Sequence, residues 1–352
     1  RFTLAHATAW AEAGHEVAFA QFELPIHVPV VATFELPAAA IECHEEGTRL
    51  HIGVGAGELS FDTARGVIDG WSFGGQQLVE AGPGLSIWRA VIDNDSRGSV
   101  GTCVEEEWRR HFLDLLRHRL DGFAWERLGD TAVRVTVRSC VAPPVYEAAF
   151  DCRYTYTISN RGDMLLELEG TPRGPWPATL PRIGLEMTLP GTLDQVLWLG
   201  RGPGESYADT KQAARFGRWR ASVDELFTPY VRPQENGNHT ETRWVAIQDM
   251  RGTGLLAVGN PTLDFSAHRF TTEDLDRAKH TCDLVPRKTI TLHLDYRQNG
   301  VGTGSCGPGV MPPYQLHAVP FVFRLHLWPL APGEADPTEI ARRTFATAAQ
   351  EG

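Results

Sequence analysis

Residues 130–141 read DTAVRVTVRSCV. Val133, Val135 and Val137 alternate with Arg134, Thr136 and Arg138. A period of two puts the valines on one face of a half-buried β-strand and the polar residues on the other. The same alternation recurs on both sides of this segment. RLHIGVG (49–55) carries it at Leu50, Ile52 and Val54. HAVPFVFRLHLWPL (317–330) carries it at Phe321, Phe323, Leu325 and Leu327. KTITLHLDYRQ (288–298) is a further strand, with His293, like His326 in the last strand, expected to face outward. ELSFDTARGVIDGWSFGGQQLV has the form of a meander, turning at Ala64–Gly66 and again at Gly74–Gly75. Two hairpins are expected, one turning at Ser159–Gly162 and one at Arg251–Gly254.

Helices are few in this reading. TCVEEEWRRHFLDLLRHRL has Thr102 as N-cap and Glu105 three residues on. Val104, Trp108, Phe112, Leu115 and Leu116 give it one apolar stripe. TTEDLDRAKH (271–280) is a short helix, and Asp336, Pro337 and Glu339 open another. Many short strands without alternating helices indicate an all-β fold, a large antiparallel β-sandwich.

The 352 residues carry a formal charge of −11, which argues against nucleic acid or an anionic membrane as partner. No apolar run reaches the length of a membrane span. The six cysteines are irregularly spaced and form no C-x-x-C pair. They read as free thiols of a cytoplasmic protein, with no disulfide framework and no zinc site. ECHEE (42–46) reads as a solvated charge run, because adjacent strand residues point to opposite faces and one ion cannot gather them all.

Gly302, Gly304 and Gly307 spell G-x-G-x-x-G after the strand 288–298. A dinucleotide site needs a helix to start at the third glycine. Pro308, Pro312 and Pro313 forbid one. A helix-free loop between antiparallel strands remains, and such loops are often functional. Three polar stretches are candidate sites for sugar chemistry: RAVIDNDSRG (89–98), with Arg89, Asp93, Asn94 and Asp95; WLGRGPGESYADTKQAARFGRW (198–219), with Arg201, Glu205, Tyr207 and Asp209; and TPYVRPQENGNHTETRW (228–244), with Glu235, Asn236, His239 and Arg243, which also reads as a polar surface turn.

WLGRGPGESYADTKQAARFGRW (198–219) followed by FTPYVRPQENGNHTETRW (227–244) resembles the C-terminal domain of LacZ-type β-galactosidases of glycoside hydrolase family 2. RAVIDND (89–95) falls where that family has R-A-P-x-D-N-D, and the glycine loop falls where it has G-x-G-G-D-x-S-W. HATAWAEAGHEVAFAQFEL (6–24), with its alternation at Val17 and Phe19 and then at Phe22 and Leu24, resembles the closing strands of the preceding immunoglobulin-like domain. The resemblance implies a galactose-mutarotase-like β-supersandwich over residues 38–330, the tail of an Ig-like sandwich over 1–37 and a helical tail over 331–352. It implies no catalytic residue in this chain, because the family's glutamates, with their Mg and Na, lie on a (β/α)₈ barrel that this strand-rich sequence does not contain. The fragment is therefore expected to be inactive alone and to need that barrel and a galactoside as partners, and the full-length protein is expected to form a homo-oligomer. Gly304, Ser305, Cys306, Asn94 and Asp95 are the expected pocket-rim residues. Cys306 stands where the family has a sugar-stacking Trp. The alternatives are a mutarotase-like epimerase with Glu235 as base and His239 as acid, a free-standing carbohydrate-binding module, and a small subunit pairing with a separate barrel-bearing chain.

Overall fold

The computed structural model describes residues 1–26, 39–96, 103–145, 147–302, 309–333 and 336–348, the last six of these in their backbone alone. The chain divides into two compact units, Arg1–Val31 and Ala32–Gly352.

In the first unit β1 (Phe2–Thr3) pairs antiparallel with β2 (Glu16–Ala18). The alternation expected to run on to Leu24 ends as a strand at Ala18. The partner of β2 among the described residues is the two-residue β1. Trp10, Phe22 and Leu24 are exposed.

The second unit begins with a five-stranded antiparallel meander: β3 (Ile41–Glu46), β4 (Arg49–Val54), β5 (Gly57–Asp62), β6 (Val67–Phe73) and β7 (Gln76–Val79). Its turns fall where the sequence places them. Asp62 Oδ1 accepts from the backbone N–H groups of Ala64 and Arg65 and so folds the first turn locally.

The large sheet holds twelve strands among the described residues. They are β8 (Ala81–Ser86), β9 (Arg117–Leu128), β10 (Ala132–Ala142), β11 (Ala149–Ser159), β12 (Met164–Arg173), β13 (Arg182–Pro190), β14 (Gln195–Gly202), β15 (Arg215–Ser222), β16 (His239–Gln248), β17 (Gly254–His268), β18 (Thr289–Gln298) and β19 (Phe321–Leu330). The main path runs β15-β14-β16-β17-β19-β12-β11-β10-β9. The fifteen-residue strand β17 pairs with β19 through residues 254–259 and with β18 through residues 264–268. Through β18 it carries the sheet on to β13 and β8.

The alternation that defined β10 is realised in burial. Val133, Val135 and Val137 are at most 1% exposed and join one continuous apolar core with Leu50, Phe61, Tyr156, Leu166 and Leu294. Each such side chain contributes about 1.5–3 kcal/mol on leaving water. A second apolar cluster lies where α5 (Pro337–Ala348) packs Ile340 and Ala341 with Trp244, Leu256 and Trp328 of β16, β17 and β19.

The helix expected from residue 102 is shorter than its stripe suggests. α1 (Asp93–Ser96) is followed by α2 (Val104–Arg110), whose N-cap position is Cys103 with no side-chain cap. The helix stops at His111, and Phe112 takes a left-handed φ of 54°. Trp108 and Leu113 are both buried, and a separation of five does not put two residues on one helical face. The reversal at Phe112 lets both reach the core and leaves Phe112 and Leu115 on the surface. α3 (Val223–Leu226) and α4 (Thr272–Arg277) are short, and each begins with a capping box, Ser222 with Glu225 and Thr271 with Asp274. No helix among the described residues is long and apolar enough to cross a membrane.

Candidate functional site

Strand β18 delivers the chain to Asn299, where the glycine loop starts. Three side chains from two distant segments then grip its backbone. Arg89, fully buried, donates through Nη1 to the Asn299 carbonyl (2.7 Å) and through Nη2 to the Gly300 carbonyl (3.2 Å). Asn94 Nδ2 donates to the Val301 carbonyl (2.8 Å). Asp209, on the connection between β14 and β15, accepts the Val301 N–H on Oδ1 (3.0 Å) and the Gly302 N–H on Oδ2 (2.9 Å). The returning arm is tied as well, since Gly300 N–H donates to the Tyr314 carbonyl and Leu316 N–H to Asn299 Oδ1.

Glycine is required at the centre of this grip. A Cβ on Gly300 would lie 2.5 Å from Asp209 Oδ2 and 2.8 Å from Val310 Cγ1, and Gly302 adopts a φ of +97°.

The residue that orients Arg89 is Asp95, 2% exposed, which accepts from Nη2 on both carboxylate oxygens (3.0 and 3.1 Å) and from the Ile92 N–H. Burial raises the Asp95 carboxyl above its ordinary value, while Arg89 and the Ile92 N–H pull it back. The ring of Trp108 lies 5.5 Å from the guanidinium carbon of Arg89 and packs on its cation. Asn94 and Asp95 thus act on one target, Asn94 directly and Asp95 through Arg89.

Beneath the loop lies a buried polar floor. Arg182 is 0% exposed; its Nη2 donates to Glu235 Oε1 (2.7 Å) and its Nε lies 3.0 Å from Asp295 Oδ2. Nη1 is 3.2 Å from His293 Nδ1. A guanidinium only donates, so Nδ1 accepts and Nε2–H of His293 is left to donate to Thr272 Oγ1 (3.2 Å). Burial, and after it the Arg182 charge, hold His293 well below the ordinary imidazole range, which is the neutral state this tautomer requires. Asp295 is pushed up to about 7, first by burial and then by Glu235 and Asp264, against the pull of Arg182. Gln298 Nε2 bridges Asp295 Oδ2 (2.9 Å) and Asn238 Oδ1 (3.0 Å), and Asn238 Nδ2 donates to the Ser206 carbonyl (2.8 Å).

The segment 234–242 is therefore internal, not a surface turn. Gln234, Glu235, Asn236, Asn238, His239, Thr240 and Thr242 are all buried. His239 rests between Trp198 and Phe265, with ring centroids at 4.5 and 5.0 Å. Its Nδ1–H donates to the Arg201 carbonyl (3.2 Å), and burial lowers its pKa to about 4. Held neutral at physiological pH, His239 has no acidic proton to give, and Glu235 is committed to Arg182. Gly304, Ser305 and Cys306 lie outside the described residues.

Arg182, Asp295, His293 and Gln298 did not stand out in the sequence as site residues. His293 and His326 do not face solvent as their alternation suggested. His293 is 3% exposed, and His326 is half-buried with Nε2 against Asp163. A signal was present: Thr291, His293 and Asp295 make a polar row at period two on β18, and on β13 Arg182 and Glu186 flank Gly184 at the same period. The register pairs His293 with Glu186 and Asp295 with Gly184, so the two rows share a face. The described cysteines, Cys43, Cys103, Cys140, Cys152 and Cys282, are free thiols.

Comparison with known proteins places these residues in context. The family model for the β-galactosidase small chain matches residues 55–327, and that for β-galactosidase domain 4 matches residues 1–25. The chain is 34% identical over 323 residues to a β-galactosidase of Kluyveromyces lactis, a match covering 90% of this chain and 30% of that protein. It is 32% identical over 322 residues to one of Priestia megaterium, covering 88% and 29%. The chain thus spans about a third of the length of these relatives. Among solved structures, a galactose 1-epimerase from Lactobacillus acidophilus overlaps 84% of this chain and 98% of its own, with 10% identity and a TM-score of 0.41.

Proposed function

The chain belongs to the β-galactosidase small-chain family, and from that premise we propose that it is the non-catalytic part of a β-galactosidase that builds one rim of the galactoside pocket. The observation that carries this reading is the grip on residues 299–302 by Arg89, Asn94 and Asp209. A loop that merely connected β18 to β19 would not need its backbone held by three side chains from two separate segments. A loop that presents atoms to a substrate does, because a site held loosely by an ångström loses most of its effect.

In this proposal the catalytic carboxylates come from a (β/α)₈ barrel elsewhere in the protein, which hydrolyses β-galactosides with retention. The chain contributes the fixed base of the loop, Asn94, and the stretch through Gly304, Ser305 and Cys306. Cys306 has no ring face to stack on a sugar, so contact with the leaving sugar is weak. The neutral His239 and the paired Glu235 favour this reading over an epimerase using them as acid and base.

The test has two arms. The purified chain is assayed alone on a nitrophenyl β-galactoside, and no hydrolysis above buffer is expected. In the barrel-bearing protein, Cys306→Trp is expected to lower KM for a disaccharide and to raise transfer to sugar acceptors relative to hydrolysis. Turnover by the isolated chain, or unchanged acceptor affinity in the variant, would overturn the proposal.

A further inference from the structure

The charge run at 42–46 looks different once its neighbour is in place. Adjacent residues of β3 do point to opposite faces, with Ile41 buried and His44 and Glu46 exposed on the outer face. β4 then pairs His44 directly with His51. The two imidazoles stack with centroids 4.7 Å apart and planes 4° from parallel. One nitrogen from each ring and one carboxylate oxygen of Glu46 lie within 4.8 Å of one another.

We propose that His44, Glu46 and His51 form a binding site for a divalent first-row transition cation of the Zn²⁺ type, clipping the edge strand β3 to β4. Two imidazoles and a carboxylate are a ligand set this class of ion accepts, with a fourth position left to water.

Three further observations support the site. Glu58 on β5 places Oε1 3.1 Å from Nδ1 of His51. A carboxylate on the second ring nitrogen fixes the tautomer of a metal-binding histidine and raises its basicity. Arg49, which stands opposite Glu46 in the register, directs its guanidinium to Asp69 (2.8 Å). The chain also carries eleven excess negative charges, which draw cations to its surface.

Tetrahedral ligation at about 2.1 Å sets ligand atoms about 3.4 Å apart. Starting from separations of at most 4.8 Å, side-chain rotations of the exposed His44 and Glu46 toward the half-buried His51 can close the gap with no movement of the strands.

Zn²⁺ is titrated by calorimetry into the chelator-treated 352-residue chain. One saturable site is expected, with a rise in melting temperature that EDTA reverses. His44→Gln combined with His51→Gln removes both effects. Glu58→Gln weakens binding about tenfold, and His280→Gln, at an exposed histidine away from this hairpin, changes nothing. A measurement on the native chain guards against misfolded variants. Co²⁺ should shift or broaden the ring resonances of His44 and His51 before those of other histidines. No saturable binding, binding unchanged in the double variant, or Co²⁺ effects confined to other histidines would each overturn the proposal.

Discussion

Asp209 offers the sharpest test of how the glycine loop is held. Its two carboxylate oxygens take the N–H groups of Val301 and Gly302 at 3.0 and 2.9 Å. A hydrogen bond to a charged group contributes about 1.5–3 kcal/mol. Asp209 is half-buried, so the lower end applies, and the pair contributes about 3 kcal/mol to closing this part of the loop. Asp209→Ala removes both acceptors and should speed amide exchange at Val301 and Gly302 by about 100-fold, at 1.4 kcal/mol per factor of ten. Asp209→Asn keeps one oxygen and turns an amide toward the other N–H, so an increase of about tenfold is expected. Gly300→Ala drives a methyl to 2.5 Å from Asp209 Oδ2 and should loosen the same two amides. Combined with Asp209→Ala its effect is smaller than the sum, since both act on one carboxylate. Hydrogen exchange read on peptides covering residues 299–302, with peptides of β18 as reference, separates the outcomes. Unchanged exchange at Val301 and Gly302, or an equal increase throughout β18, would refute the assignment of Asp209 as the anchor.

Two further perturbations act on the floor beneath. Arg182→Met leaves Glu235 and Asp295 buried without their cation and should lower stability in urea by about 3–5 kcal/mol; adding Glu235→Gln and Asp295→Asn should restore much of it, and a single variant within 1 kcal/mol of the native chain would remove Arg182 from its central place. His239, whose pKa burial lowers to about 4, is neutral in the folded chain while the unfolded chain protonates near 6.5. The unfolded state therefore binds more protons between these values, and stability falls as pH drops from 6.5 toward 4, by about 3 kcal/mol from this group. The slope should flatten in His239→Gln, and an NMR titration midpoint above 6 for His239 would contradict this environment.

How much of this was legible in sequence depends on what buries each residue. Period-two alternation gave the strands of the large sheet because their inner faces meet an apolar core. Val133, Val135 and Val137, or Phe321, Phe323, Leu325 and Leu327, carry that contrast in their own composition. The rule fails on β18. Ile290, Leu292 and Leu294 fill the core, yet Thr291, His293 and Asp295 on the opposite face are buried too, under α4 and the segment 234–242. A strand covered on both faces, one of them by polar partners, has no outward side for its polar residues to mark. The segment 234–242 was opaque for the same reason, because hydrogen bonds, not apolar side chains, hold it inside. The stripe through 104–116 misled in another way, since periodicity cannot register the left-handed turn at Phe112 that resets the helix.

The charges under the loop explain why the floor is polar at all. An apolar replacement of comparable volume is often as stable as a buried ion pair, so stability alone does not call for Arg182, Glu235 and Asp295. Direction does. Apolar contacts tolerate small rotations with little change in energy, whereas Arg182 holds Glu235 and His293 by hydrogen bonds of 2.7 and 3.2 Å and Asp295 by an ion pair at 3.0 Å. Asp295 in turn fixes Gln298, the last residue of β18, next to Asn299, whose carbonyl Arg89 grips. Orientation set at Arg182 is therefore carried along ion-paired, hydrogen-bonded and covalent links to the base of the glycine loop. On this argument Asp295→Asn, which can still meet the Gln298 amide through its own oxygen, should leave the loop amides Val301 and Gly302 protected. Asp295→Leu, which cannot, should expose them even where overall stability is retained. Equal protection in the two variants would mean that the floor supports the sheet without steering the loop.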